Sequence, residues 1–165
     1  KKSINYRWEK TPDGAAVRYL YLQANPVAWL IGLVGTTLSI VLVAAHFCFG
    51  LQIRKRRLFW LIGIFCGLYL AYMLAMLRID RVMYLFHYFI PLILSFSLAG
   101  LLVTYLYEDE LTRHDVVVYS SLIILVVCVV ICFVFYTPFT YYQPLSSADF
   151  YRRIWFEFWQ LKPII

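Results

Sequence analysis

Along most of this chain apolar residues do not alternate with polar ones; they run unbroken in long stretches parted by short polar breaks. A bilayer hydrocarbon core of about 30 Å needs about 20 helical residues to cross it. Four stretches meet that length with no Asp, Glu, Lys or Arg inside: about 26–51, 58–77, 82–107 and 116–136. The pattern predicts an all-α integral membrane protein, a four-span transmembrane helix bundle. A C-terminal interfacial amphipathic helix follows it. There Ser146-x-x-Asp149 has the form of a capping box. Behind it, Phe150, Tyr151, Ile154, Trp155, Phe158 and Trp159 alternate with Arg152, Arg153 and Lys162 as in a helix lying on a membrane surface.

The breaks and flanks add detail. Residues 1–24 are mixed and basic, with a turn signalled by Thr11-Pro-Asp-Gly14. Asn25-Pro26 predicts an N-cap followed by proline at the first helical position. In the first span Gly32, Gly35 and Ser39 offer a surface for close approach. In the second, Gly63, Gly67, Ala71 and Ala75 recur every four residues, and a strip without bulk lets another helix pack closely. Arg78-Ile-Asp-Arg81 is short enough to make spans two and three an antiparallel hairpin. Glu108 to Asp115 is a polar, mostly acidic loop, better read as solvated than as an acid–base pair. Residues 137–165 form an aromatic exit segment and the last helix.

Composition supports the membrane reading. The chain of 165 residues is 63% hydrophobic and 15% charged, against about half and a quarter in soluble domains. Its net charge of +6 therefore points to basic residues beside a membrane and not to nucleic acid. Arg54, Lys55, Arg56 and Arg57 concentrate that charge in one loop, although the total on the opposite side is larger, so charge alone leaves orientation open. Cys48, Cys66, Cys128 and Cys132 all lie in apolar runs. Cys128 and Cys132 share a helix face but lack a third ligand, so packing is the better reading and no metal or cofactor is called for. His46 likewise suits packing at a span end. Lys1 opens a polar stretch with no signal peptide, and the chain has the look of a piece of something longer or a processed product.

One stretch resists a purely lipid-facing account. On a helix at 100° per residue, Arg81, Tyr84, His87, Tyr88, Pro91 and Ser95 share a face roughly 120° wide. Pro91 would leave the His87 carbonyl without a donor and kink the helix. Such a face must meet protein, water or a polar ligand. Arg78 and Tyr84 also fit an interfacial anchor. Asp80, between Arg78 and Arg81, reads as a local ion pair.

Three elements together resemble a known family. Tyr19-Leu-Tyr-Leu-Gln-Ala-Asn-Pro-Val-Ala-Trp29 opens the first span, Arg81-Val-Met-Tyr-Leu-Phe-His-Tyr-Phe-Ile-Pro91 opens the third, and Ile154-Trp-Phe-Glu-Phe-Trp159 closes the tail. Their order is similar to the C-terminal four-span region of the protein O-mannosyltransferases, from about Tyr19 onward. Where that family often has two histidines, Phe86-His87 stands here. The resemblance implies an inverting membrane glycosyltransferase that moves mannose from a dolichyl- or polyprenyl-phosphate donor to Ser/Thr hydroxyls of an acceptor protein. It implies termini and the 78–81 turn outside, in the endoplasmic reticulum lumen or bacterial periplasm, with the 52–57 loop cytoplasmic. Arg81, His87, Tyr84, Tyr88 and Arg78 would contact the donor phosphate or sugar, since a guanidinium presents fork-shaped donors to phosphate oxygens. The family's catalytic acidic pair has no match here, so this chain carries no catalytic residue of its own. The implied partners are the donor lipid, membrane lipids, the N-terminal half of the same enzyme, an acceptor protein and a dimer partner. The competing reading is a stand-alone four-span scaffolding or lipid-binding subunit without catalysis. A channel would need more than one polar helix face.

Overall fold

The structure, a computed structural model, describes residues 6–12, 16–21, 25–79 and 88–155. Four of its helices are long and apolar enough to cross a membrane: α1 (Pro26–Phe49), α2 (Arg56–Leu77), α3 (Phe89–Thr112) and α4 (Val116–Thr140). The short strands β1 (Tyr6–Lys10), β2 (Val17–Tyr21) and β3 (Pro144–Leu145) and the short helix α5 (Ser147–Tyr151) complete the described elements. The chain divides into two compact units, Lys1–Val27 with Leu125–Ile165, and Ala28–Ile124.

In the first unit the three strands form an antiparallel sheet in the order β1-β2-β3. The turn read from Thr11 onward closes the β1–β2 hairpin. Thr11 N donates to Ala16 O at 2.9 Å, and Thr11 Oγ1 both donates to that oxygen and accepts from Ala16 N. β2 alternates as a half-buried strand must: Tyr19 and Tyr21 face inward while Leu20 is exposed. Their rings meet Cys132, Tyr136 and Phe139 of α4, Leu145 of β3 and Phe150 of α5 in one apolar core. The sequence pattern does not predict this sheet: it gives residues 1–24 a turn, and residues 137–165 an aromatic exit segment and a helix.

Asn25 caps α1 as its position beside Pro26 predicts. Its Oδ1 accepts from Val27 N at 3.1 Å, while Nδ2 donates to Val129 O of α4 at 2.9 Å. Ser146 caps α5 in turn, accepting from Asp149 N at 3.2 Å and donating to the Asp149 carboxylate at 2.8 Å. The helix it opens is short. Past Tyr151 the chain turns, and Arg153 fastens the turn to α4: Nε donates to Phe135 O at 2.9 Å, a second nitrogen donates to Asp149 O at 2.7 Å, and the guanidinium lies over the Phe135 ring. Phe158, Trp159 and Lys162 lie outside the described residues.

The second unit brings α1, α2 and α3 together. Phe59, Ile62 and Cys66 of α2 pack on Leu98 and Tyr105 of α3, with Ile40, Leu42 and Val43 of α1 against them. Gly32, Gly35 and Ser39 are buried, as a close-approach surface requires. A methyl on Gly32 would come within 2.7 Å of Ser95 Oγ, and one on Gly35 within 2.6 Å of the Ala99 Cα. Because these contacts advance together, α1 and α3 run parallel and nearly touch backbone to backbone.

α1 ends where Gly50 adopts a φ of +67° and its N–H donates to His46 O at 3.0 Å, an αL cap. His46 Nδ1 lies 2.7 Å from Leu51 O. A carbonyl only accepts, so Nδ1 carries the proton, and the ring packs edge-on against Phe59. This histidine is a packed one.

Two sequence expectations change here. α3 continues beyond 107 to Thr112, with a break in helical geometry at Tyr107. The extension carries the acidic residues to the basic loop, where Asp109 meets Arg54 at 2.7 Å and Glu108 meets Lys55 at 2.9 Å. Glu108 and Asp109 are thus ion-pair partners and not members of a free solvated loop. Asp115 caps α4, accepting from Val117 N and Val118 N. The small-residue strip of α2 is also unlike its reading. Gly67, Ala71 and Ala75 are exposed, and nothing lies within 4 Å of a methyl built on Gly63 or Gly67. Among the described residues no helix packs there.

Candidate functional site

The region singled out in the sequence sits where α2 ends and α3 begins. Arg81, Tyr84 and His87 lie outside the described residues. Arg78 and Tyr88, one on each side of them in the chain, are described. Arg78 is the C-cap of α2, its N–H donating to Ala75 O at 3.1 Å, and it is exposed. Tyr88 is the N-cap of α3.

Tyr88 is tied to both neighbouring helices. Its ring stacks on Trp29 of α1 with centroids 4.8 Å apart and planes 18° from parallel. Its hydroxyl lies toward the phenol of Tyr69 of α2. An aromatic ring with a polar tip suits such a place, packing the ring and turning the hydroxyl to a polar neighbour. Trp29, Tyr69 and Tyr88 thereby join three helices at one point. The sequence drew attention to Tyr88 but missed Tyr69. A phenol within an otherwise apolar span was the available signal, because its hydroxyl must find a partner in a medium without water.

The remainder of the predicted polar face has a different use. The described helix starts at Phe89, so Pro91 is its third residue. An N–H at that position has no partner inside the helix, and proline there forfeits nothing. Within the described helix the break in geometry lies at Tyr107 and not at Pro91; His87, whose carbonyl the proline would leave free, lies outside the described residues. Ser95 Oγ donates to Leu92 O at 2.7 Å and abuts Gly32. Pro91 and Ser95 are both buried. In its described part, then, the face turns toward α1 as a packing surface. Of the residues singled out by sequence and described here, Arg78 is the exposed one.

Among the described residues no three His, Cys, Asp or Glu side chains gather as metal ligands. All four cysteines are free thiols, Cys66 and Cys132 buried and Cys48 and Cys128 exposed.

Comparison with known families gives one match. The family model described as the C-terminal four-TMM region of protein-O-mannosyltransferase matches residues 2–159. No curated protein and no solved structure matches the chain.

Proposed function

The chain belongs to the family of C-terminal four-transmembrane regions of protein O-mannosyltransferases, and from that premise we propose that it forms one wall of the donor-lipid groove in an inverting mannosyltransferase. The donor is a dolichyl- or polyprenyl-phosphate mannose and the acceptors are Ser/Thr hydroxyls of proteins. The N-terminal half of the same enzyme supplies the carboxylate that takes the hydroxyl proton as that oxygen attacks the sugar's anomeric carbon. The leaving lipid phosphate gains negative charge in that step. Arg81 meets it with fixed guanidinium donors, stabilising charge that grows in the transition state. His87 and Tyr84 add hydrogen bonds to phosphate or sugar. The termini and the 78–81 turn face the endoplasmic reticulum lumen or the periplasm.

The observation that carries this reading is the anchoring of Tyr88 between Trp29 and Tyr69. It fixes the residue directly after His87 at the end of the helices where Arg78 is exposed. Tyr88 is then a positioning residue, its ring held against Trp29, while Arg78, Arg81, His87 and Tyr84 face the donor. The test is Arg81→Ala in the full-length enzyme, assayed with polyprenyl-phosphate mannose and an acceptor peptide. Loss of one charge-assisted contact, about 1.5 kcal/mol or more, lowers kcat/KM for the donor about tenfold or more. Arg81→Lys restores part of it, because an ammonium keeps the charge and loses the fork. Unchanged transfer by Arg81→Ala sinks the phosphate role.

A further inference from the structure

The basic loop divides its four cations into two pairs. Arg54 and Lys55 are neutralised by Asp109 and Glu108. Arg56 and Arg57 open α2, are exposed, and have no hydrogen-bond or ion-pair partner among the described residues. On a helix at 100° per residue, Arg56, Arg57, Trp60, Gly63 and Gly67 fall within an arc of about 120°. That arc lies away from the face buried by Phe59, Ile62 and Cys66. Trp60 is 46% exposed, as suits a ring at the headgroup level. Beyond it the surface is open and lacks bulk, since nothing lies within 4 Å of a methyl built on Gly63 or Gly67.

We propose that this face of α2 binds an anionic phospholipid of the leaflet on the 52–57 side. Its phosphate sits between Arg56 and Arg57, and one acyl chain lies along the open strip over Gly63 and Gly67. The dimensions agree. Ten residues of helix from Arg57 to Gly67 advance about 15 Å, half of a hydrocarbon core of about 30 Å. The strip thus ends near the bilayer midplane, as deep as one leaflet's chains reach. The charges agree too: two unpaired guanidiniums suit an anionic headgroup and leave a zwitterionic one with little advantage. This site is separate from the Tyr88 end, because α2 rises about 30 Å between Arg57 and Leu77.

The test uses the full-length enzyme in detergent, titrated separately with dioleoyl phosphatidylglycerol and dioleoyl phosphatidylcholine, with bound lipid counted by native mass spectrometry. The unaltered protein should bind phosphatidylglycerol more tightly. The double variant Arg56→Gln/Arg57→Gln should lose about thirtyfold in phosphatidylglycerol affinity, about 2 kcal/mol for two arginines at an anionic surface. Its phosphatidylcholine binding should hold. Gly67→Leu keeps both arginines and puts bulk on the strip, so it should weaken both lipids. Equal affinity for the two lipids, or phosphatidylglycerol binding that survives the double substitution, overturns the proposal. So does an efficient disulfide from Gly67→Cys to a cysteine placed on a helix of the N-terminal half, since protein and not lipid would then cover the strip. Failure of Arg81→Ala to affect transfer would leave this result standing, so the two readings fail separately.

Discussion

Gly35→Ala should destabilise the protein by about 2 kcal/mol, while the same substitution at Gly67 should leave stability unchanged or raise it slightly. Both glycines are helical, so the intrinsic change favours alanine by about 1 kcal/mol in each case. Their surroundings decide the sign. The new methyl at 35 would lie 2.6 Å from the Ala99 Cα, a backbone atom that cannot rotate away. α1 and α3 must separate there, which loosens the Gly32–Ser95 contact and gives up local dispersion; overpacking of this kind costs typically 1–3 kcal/mol. At Gly67 the methyl meets nothing within 4 Å. Thermal unfolding of the two variants in the same detergent measures the difference. Equal midpoints would mean that α1 and α3 do not approach each other at Gly35.

The second large effect belongs to the other unit. Phe150→Ala should cost about 3–5 kcal/mol, the range for removing a fully buried aromatic ring. Phe150 is 0% exposed. Its ring stands 4.5 Å from Tyr19, 5.4 Å from Phe139 and 6.1 Å from Tyr21, so it touches the sheet and α4 together. Besides leaving a cavity, truncation forfeits aromatic pairing worth about 0.5–1.5 kcal/mol per pair. Tyr151, the next residue, is 57% exposed and provides the control. Its change to alanine should be close to neutral. Proteolysis read at the 137–155 segment separates the cases: Phe150→Ala should be cut at far lower protease concentration, Tyr151→Ala at that of the unaltered protein. Matching susceptibility would remove Phe150 from the core.

Residues that act on their own sequence neighbours were legible from the start. Spans without charge announce helices because lipid offers the backbone no other partners. Asn25 and Ser146 announce helix starts because capping is a contact within three residues. The sheet escaped because β2 has five residues and its partner β3 only two, from the far end of the chain. The end of α3 escaped for a related reason. Apolarity stops near Tyr107, but the helix persists where Glu108 and Asp109 find Lys55 and Arg54, a pairing no local pattern encodes. At the candidate site Tyr88 was visible as a polar group in an apolar run. Tyr69 offered the same signal and Trp29 stood in the first-span motif, but placing either beside Tyr88 needs the register between helices. The strip on α2 shows the same limit from the other side. Small residues at every fourth position declare that something can come close, and the pattern is silent about what does.

The pairing of β2 with β3 also dictates an order of assembly. A ribosome makes Tyr19 and Tyr21 long before it makes Leu145 and Phe150, and all four membrane spans are synthesised in between. Until α4 has been inserted and its last turns have emerged, the inner face of the β1–β2 hairpin has no Phe139 or Phe150 to cover it. Two tyrosine rings and the open edge of β2 stand bare through that interval, the state in which strands recruit wrong partners. Leu145 and Phe150 therefore complete this unit last among its core residues. A chain that terminates early, after four sound spans, would present to quality control an unfinished sheet and not a missing helix.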